Sequence, residues 1–120
     1  MAEHNIIGER GEAIAIAYLR KKGYEIKAVN WRFQKAEIDV ICFHENLIVI
    51  VEVKTRTSTE FENPKEAVTI PKQKRIVNAA NHYIESSNIE LECRFDIISV
   101  LILGKKVDVE HIEDAFSPQW

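Results

Sequence analysis

A fold that mixes two helices with five strands is predicted by three features of the 120-residue chain. Residues 7–22 and 71–86 carry helix formers with apolar side chains at three- and four-residue spacing. Residues 24–30, 37–43, 48–54, 93–103 and 106–112 read as strands bounded by turn residues. At 120 residues and 46% hydrophobic, the chain has the size of one domain with one core, so residues 1–120 are taken as a single unit.

The first helix, IGERGEAIAIAYLRKK, places Ala13, Ile16, Ala17 and Arg20 at helical spacing, which predicts one buried stripe, and Gly23 is its C-terminal stop. Glu9 and Glu12 fall in phase with Ile16 and Leu19, at the edge of that stripe. Acids in the first turns of a helix also favour its dipole, which accounts for at least one of them. GERG lacks the Lys-Ser/Thr of a phosphate-cradling loop. YEIKAVN alternates as a half-buried strand, and WRFQKA is expected to be a connecting loop. Two strands joined through HENL follow, and then the polar, aperiodic TRTSTEFENP, a loop of the kind that carries substrate contacts. Pro71 suits the first turn of the second helix, whose apolar stripe is Ile76, Val77, Ala80, Tyr83 and Ile84. CRFDIISVLIL turns at Gly104 and Lys105 into KVDVEHI, and the tail AFSPQW is expected to be loosely held.

No apolar run reaches the roughly 18–20 residues that span a bilayer, and MAEHNIIGER has neither a basic n-region nor an apolar h-region. A cytosolic protein without membrane contact is expected. Cys42 and Cys93 lack zinc-ligand spacing and read as small core residues, and the four histidines receive no role. A net charge of −3 argues against a protein that coats nucleic acid through bulk charge. Residues 54–75, however, hold six basic residues against three acidic ones, Glu60, Glu62 and Glu66.

Chemistry concentrates in EIDVICFHENLIVIVEVKTR, residues 37–56. A turn centred between Glu45 and Asn46 sets Asp39 opposite Glu52 and Glu37 opposite Lys54. All four would then share a face with Ile41, Phe43, Ile48 and Ile50. Directly opposed Cβ atoms lie about 4.5–5.5 Å apart, where like charges repel. Two arrangements resolve that conflict. Either a hard cation sits between the carboxylates, or Glu37 pairs with Lys54 while Asp39 and Glu52 fray into solvent. Glu52 interrupts the apolar run LIVIVEV, and a buried carboxylate must be paired, protonated or metal-bound. Oxygen donors of this kind suit Mg²⁺ or Mn²⁺, with Lys54 placed to orient a water or offset developing negative charge. An odd-length turn would put Asp39 and Glu52 on opposite faces.

Asp39, twelve intervening residues and Glu52-Val53-Lys54, between a helix bearing Glu12 and a helix with basic residues, resemble the PD-(D/E)XK nuclease superfamily. The longer pattern GERGEAIAIAYLRKKGYEI, NWR, EIDVI, VEVKTR, residues 71–83 and RFDII resembles the YraN family of small bacterial proteins, itself similar to archaeal Holliday junction resolvases. The resemblance implies an α/β, restriction-endonuclease-like fold with a mixed central sheet flanked by helices. It implies Asp39, Glu52 and the Val53 carbonyl as metal ligands, Lys54 as the catalytic lysine and Glu12 as the helix acid completing the site. Glu37, from the EID signature, would support Lys54. Ile38 stands where the superfamily name has proline. The expected activity is Mg²⁺- or Mn²⁺-dependent cleavage of DNA, branched DNA included, with Thr55, Arg56, Lys72, Lys74 and Arg75 gripping phosphates. Resolving a four-way junction symmetrically would require a homodimer. The alternatives are a nucleic-acid-binding or adaptor protein that keeps the scaffold without catalysis, and an interaction module built on a Trp31 loop or on Trp120.

Overall fold

Strand register follows from the turn at residues 45 and 46. In the computed structural model, which describes residues 2–58 and 63–118, Glu45 and Asn46 adopt φ of 47° and 64°. Both residues are left-handed, as a two-residue type I′ hairpin requires to match the twist of its strands. Strands β2 (Ala36–His44) and β3 (Leu47–Arg56) therefore pair antiparallel from His44–Leu47 to Val40–Val51, the register the sequence predicts. Glu60, Glu62 and Trp120 lie outside the described residues, so the interaction module based on Trp120 does too.

The order is α1 (Ala2–Lys21), β1 (Glu25–Phe33), β2, β3, a 3₁₀ turn (Pro64–Ala67), α2 (Ile70–Ser86), β4 (Glu92–Leu103) and β5 (Lys106–Phe116). The five strands form one mixed sheet in sequence order, with β3 and β4 parallel and every other pair antiparallel. Only that parallel pair needs a crossover, and α2 supplies it. Thr69 caps α2, its hydroxyl accepting from the Lys72 N–H. Each face of the sheet carries one helix. Ala15 and Leu19 of α1 pack on Val40, Val49, Val51 and Ile98, while Ile76, Val77 and Ala80 of α2 pack on Ile41, Ile48, Ile50 and Ile97. This α/β architecture agrees with a restriction-endonuclease-like fold. Among the described residues, no helix is long and apolar enough to cross a membrane.

The tail does not begin loose, since Ala115 and Phe116 end β5 and Phe116 stacks on Phe95, and three further details differ from the sequence reading. First, the buried stripe of α1 is Gly11, Ala15 and Leu19, four residues apart, and Ala13, Ala17 and Arg20 are exposed. Small size, not hydropathy, marks this face, because α1 lies close on β3: a Cβ on Gly11 would overlap the Thr55 side chain. Second, WRF is strand, not loop. Trp31 packs edge-on against Tyr83, 5.2 Å between ring centroids, so it is not a free loop aromatic. Third, β1 and β2 change face midway. Ala28 and Trp31, three residues apart, share the α2-side cluster, as do Ile38 and Ile41. Asn30, with φ of 53°, absorbs the change in β1, and Asp39 lies opposite it.

The α1 contact gives a direct stability prediction. Gly11→Ala raises helix propensity by about 1 kcal/mol, yet its Cβ would overlap the Thr55 side chain, which is short and β-branched. Overpacking of this kind costs about 1–3 kcal/mol, so the variant should melt below the parent. Adding Thr55→Ala should recover part of the loss in a thermal melt.

Candidate active site

The β2–β3 ladder runs to Val40–Val51, and the next positions are Asp39 and Glu52. There the Asp39 Oδ2 atom accepts a 2.8 Å hydrogen bond from the Val53 N–H, so a side chain replaces the backbone ladder. The opening of the hairpin thus brings two carboxylates together at the lip of the apolar sheet. Burial first, then the Glu52 carboxylate, pushes Asp39 up to about 8, and the charge of Glu12 adds to the effect. The Val53 N–H opposes it without reversing it.

A lysine answers this charge. The Lys72 Nζ lies 2.6 Å from Glu52 Oε2, with the glutamate side chain only 12% exposed. Lys72, Lys74 and Arg75 occupy the first turns of α2, where the helix dipole disfavours cations and the helix's own first turn carries no acid. Three basic groups thus crowd the positive end of one helix. Lys72 and Arg75 line a recess of about 350 Å³ together with Lys35, Glu37, Asp39 and Glu52. Lys54 lines an adjoining recess of about 280 Å³ with Glu52, Val53 and Lys72. Asp39, Glu52, Lys54, Lys72 and Arg75 are therefore grouped around one opening, while Lys74 stays on the exposed side of α2.

Four expected roles sit differently. Glu37 takes the Nε of Arg32 at 3.2 Å, and the face change at Asn30 and Asp39 turns it away from the row of Ile41, Ile48 and Ile50. It also lines a recess with Glu9, Glu12, Asn30 and Arg32. Glu12 accepts a 2.9 Å hydrogen bond from the Asn30 side chain, and among the described residues no group of three or more acids, histidines or cysteines converges on one point. Its place is beside the Asp39–Glu52 pair, acting through charge. Thr55 points at Gly11 of α1, on the far face of the sheet from α2. Arg56 is half-buried, and its Nε is enclosed with no hydrogen-bond partner among the described residues. Asn30 escaped the sequence reading. Its signal was an asparagine inside a strand pattern, a residue that tolerates the left-handed conformation.

Asp39 and Glu52, two carboxylates that repel each other, offer oxygen donors only, with Glu12 nearby but held by Asn30. That set fits a hard, partly hydrated Mg²⁺ or Mn²⁺, which keeps several waters and needs one or two carboxylates.

A family model described as uncharacterised protein family UPF0102 matches residues 11–100. The chain is 51% identical over 116 residues to UPF0102 protein FP2501 of Flavobacterium psychrophilum, covering 97% of this chain and 98% of that one. The chain belongs to the UPF0102 (YraN) family. A UPF0102 protein of Bacteroides thetaiotaomicron is 48% identical over 118 residues, 98% of each chain, and one of Porphyromonas gingivalis is 42% identical over 97% of this chain and 87% of that one.

This UPF0102 member holds a second polar cluster, on the α1 face. Asp96 is fully buried and accepts from the Nε and an Nη of Arg94, both at 2.9 Å, from His111 Nε2 at 2.7 Å and from the Asp114 N–H at 3.0 Å. Arg94 also donates to the Tyr24 hydroxyl at 2.7 Å, and His111 Nδ1 lies 3.3 Å from the Tyr18 hydroxyl. Burial pushes the Asp96 carboxyl up, but the bonds from His111, Arg94 and Asp114 outweigh it and hold the group below its ordinary value. Sequence reading gave His111 no role because its partners lie 15 and 93 positions away. The cysteines are free, Cys42 buried and Cys93 partly so, and burial pushes both thiols up to about 12.

Proposed function

We propose that this protein is a divalent-metal-dependent endonuclease that hydrolyses phosphodiester bonds in DNA, branched DNA included. The observation that carries the reading is the half-buried Asp39–Glu52 pair: a protein that only folds has no use for two carboxylates whose burial and mutual repulsion drive one of them up to about 8. Asp39, Glu52 and the Val53 carbonyl would hold Mg²⁺ or Mn²⁺, and such an ion supplies a bound water of lowered pKa and polarises a phosphoryl oxygen. Val53 N–H fixes the Asp39 carboxylate. Lys54, on the recess next to Glu52, orients the attacking water or offsets the charge that develops on the phosphate. Lys72 and Arg75, at the positive end of α2, take the flanking phosphates, so binding weakens with salt. On a four-way junction, symmetric cutting would use two copies of the chain.

The Lys72–Glu52 contact favours a second reading, in which the lysine stands permanently where a cation would and the scaffold binds nucleic acid without cutting it. Labelled single-stranded, duplex, flap and four-way-junction DNA, with an RNA control, incubated with Mg²⁺ or Mn²⁺ separates the two. Cleavage that falls by about a hundredfold or more in both Lys54→Ala and Asp39→Asn is expected. DNA binding with no cleavage in any lane would leave the binding scaffold.

A further inference from the structure

Beside the carboxylates lies a recess that the proposed chemistry does not use. It measures about 370 Å³ and is lined by Phe33, Gln34, Lys35, Ala36, Arg75 and Asn78. Lys35, Ala36 and Arg75 also line the carboxylate recess, so the two are adjacent, with a pair of cations at their common border. An aromatic ring and a methyl group form the apolar wall, and the side-chain amides of Gln34 and Asn78 supply donors and acceptors. The Phe33 ring is fixed: it stacks on His82 with centroids 4.0 Å apart and runs 10° from parallel to Trp31. Gln34 holds φ of 57° at the tip of the β1–β2 hairpin, where glycine or asparagine is the unstrained choice. The turn sets the Gln34 side chain at the lining of the cleft.

We propose that this recess receives one unpaired nucleobase next to the phosphate held at the carboxylates, which makes DNA with unpaired nucleotides at the cut site the preferred substrate. The proposal rests on the nuclease reading of the neighbouring recess and specifies its substrate. A ring to stack on, two amides to meet a base edge and two cations at the sugar–phosphate side are the groups a nucleotide engages. The volume is at the small end for a ligand cleft, room for one base and its sugar. A base pair does not fit, and a base inside a duplex would have to leave its stack to enter, so substrates with unpaired bases gain.

The test reads binding without cleavage. The full Lys54→Ala chain is titrated, with Mg²⁺ present, against two DNAs that carry 2-aminopurine at one position, either paired with thymine or within a single-strand gap. The gapped DNA should bind about tenfold tighter, with its emission quenched by stacking. Asn78→Trp, which fills the recess from the exposed side of α2, should bring that ratio below about threefold with duplex affinity unchanged. Gln34→Gly should do the same while melting no lower than the parent, since it relaxes a positive φ and removes only the amide. Equal affinity for the two DNAs, or a preference that survives both substitutions, overturns the proposal. A preference lost in both variants, in a protein whose Lys54 form never cuts, keeps the recess and removes the nuclease reading. Failure to bind either DNA removes both.

Discussion

Asp39→Asn will make the metal-free protein more stable above neutral pH and, on the metal role proposed for it, will abolish Mn²⁺ binding. The folded protein holds a proton on Asp39 up to about 8, whereas an unfolded aspartate releases it near 3.8. Between those values the folded state binds one proton more, so stability falls as pH rises, by at most about 1.4 kcal/mol per pH unit, and the loss is complete above about 8. Asparagine keeps an oxygen for the Val53 N–H and carries no proton to lose, so that slope disappears. Urea denaturation of parent and variant at pH 5, 7 and 9 should give curves that diverge with rising pH, the variant on top. A divalent ion displaces the same proton, so the parent's Mn²⁺ affinity should climb by up to about tenfold per pH unit below 8 and level off above it. Parallel stability curves, with Mn²⁺ affinity independent of pH, would mean that Asp39 is an ordinary carboxylate.

The opposition of Asp39 and Glu52 was legible in the sequence because a strand has a period of two and the Glu45-Asn46 turn admits few registers. Both facts are local. The acids Glu9 and Glu12 of the first helix and the basic start of the second were also legible, but their engagement was not. Lys72 reaches Glu52 from an element some twenty residues on in the chain, and nothing in the local pattern chooses it over Lys74. Glu37 was misplaced for a related reason. Alternation assumes an unbroken strand, and the positive φ of Asn30, on the neighbouring strand, shifts the face of everything before Asp39. Gly11 misled in the opposite sense: in a hydropathy pattern it counts for nothing, yet it sets how closely α1 approaches Thr55. Helix and strand order followed from side-chain periodicity, whereas contacts between distant elements depend on packing that no window of sequence contains.

Asp96→Ala should be the most destabilising single substitution outside the apolar core. The carboxylate is fully buried and compensates Arg94 and His111, whose side chains are 17% and 6% exposed. Truncating it leaves the Arg94 guanidinium with only the Tyr24 hydroxyl and the exposed Glu113 carboxylate, and the His111 Nε2 without its acceptor, a loss of about 3–5 kcal/mol for a broken buried ion pair. That is a large share of the roughly 5–15 kcal/mol that holds a domain of this size together. Because Arg94 and His111 reach Tyr24 and Tyr18, the substitution loosens β4, β5 and the end of α1 together, and a single cooperative transition at lower denaturant is expected. Acid gives an independent check. A carboxyl held below its ordinary value stabilises the fold above the unfolded value of 3.8 and loses that contribution as pH falls through the folded one. The parent should therefore lose stability below about pH 4, and Asp96→Asn, which keeps the shape without the charge, should lose less over the same range. Asp96 lies on the α1 face, beside Val51 on the neighbouring strand, while Lys72 and Arg75 approach from α2. The folded fraction of Asp96→Asn should thus bind Mn²⁺ as the parent does. A drop in metal affinity at full folding would instead join the two clusters into one functional unit.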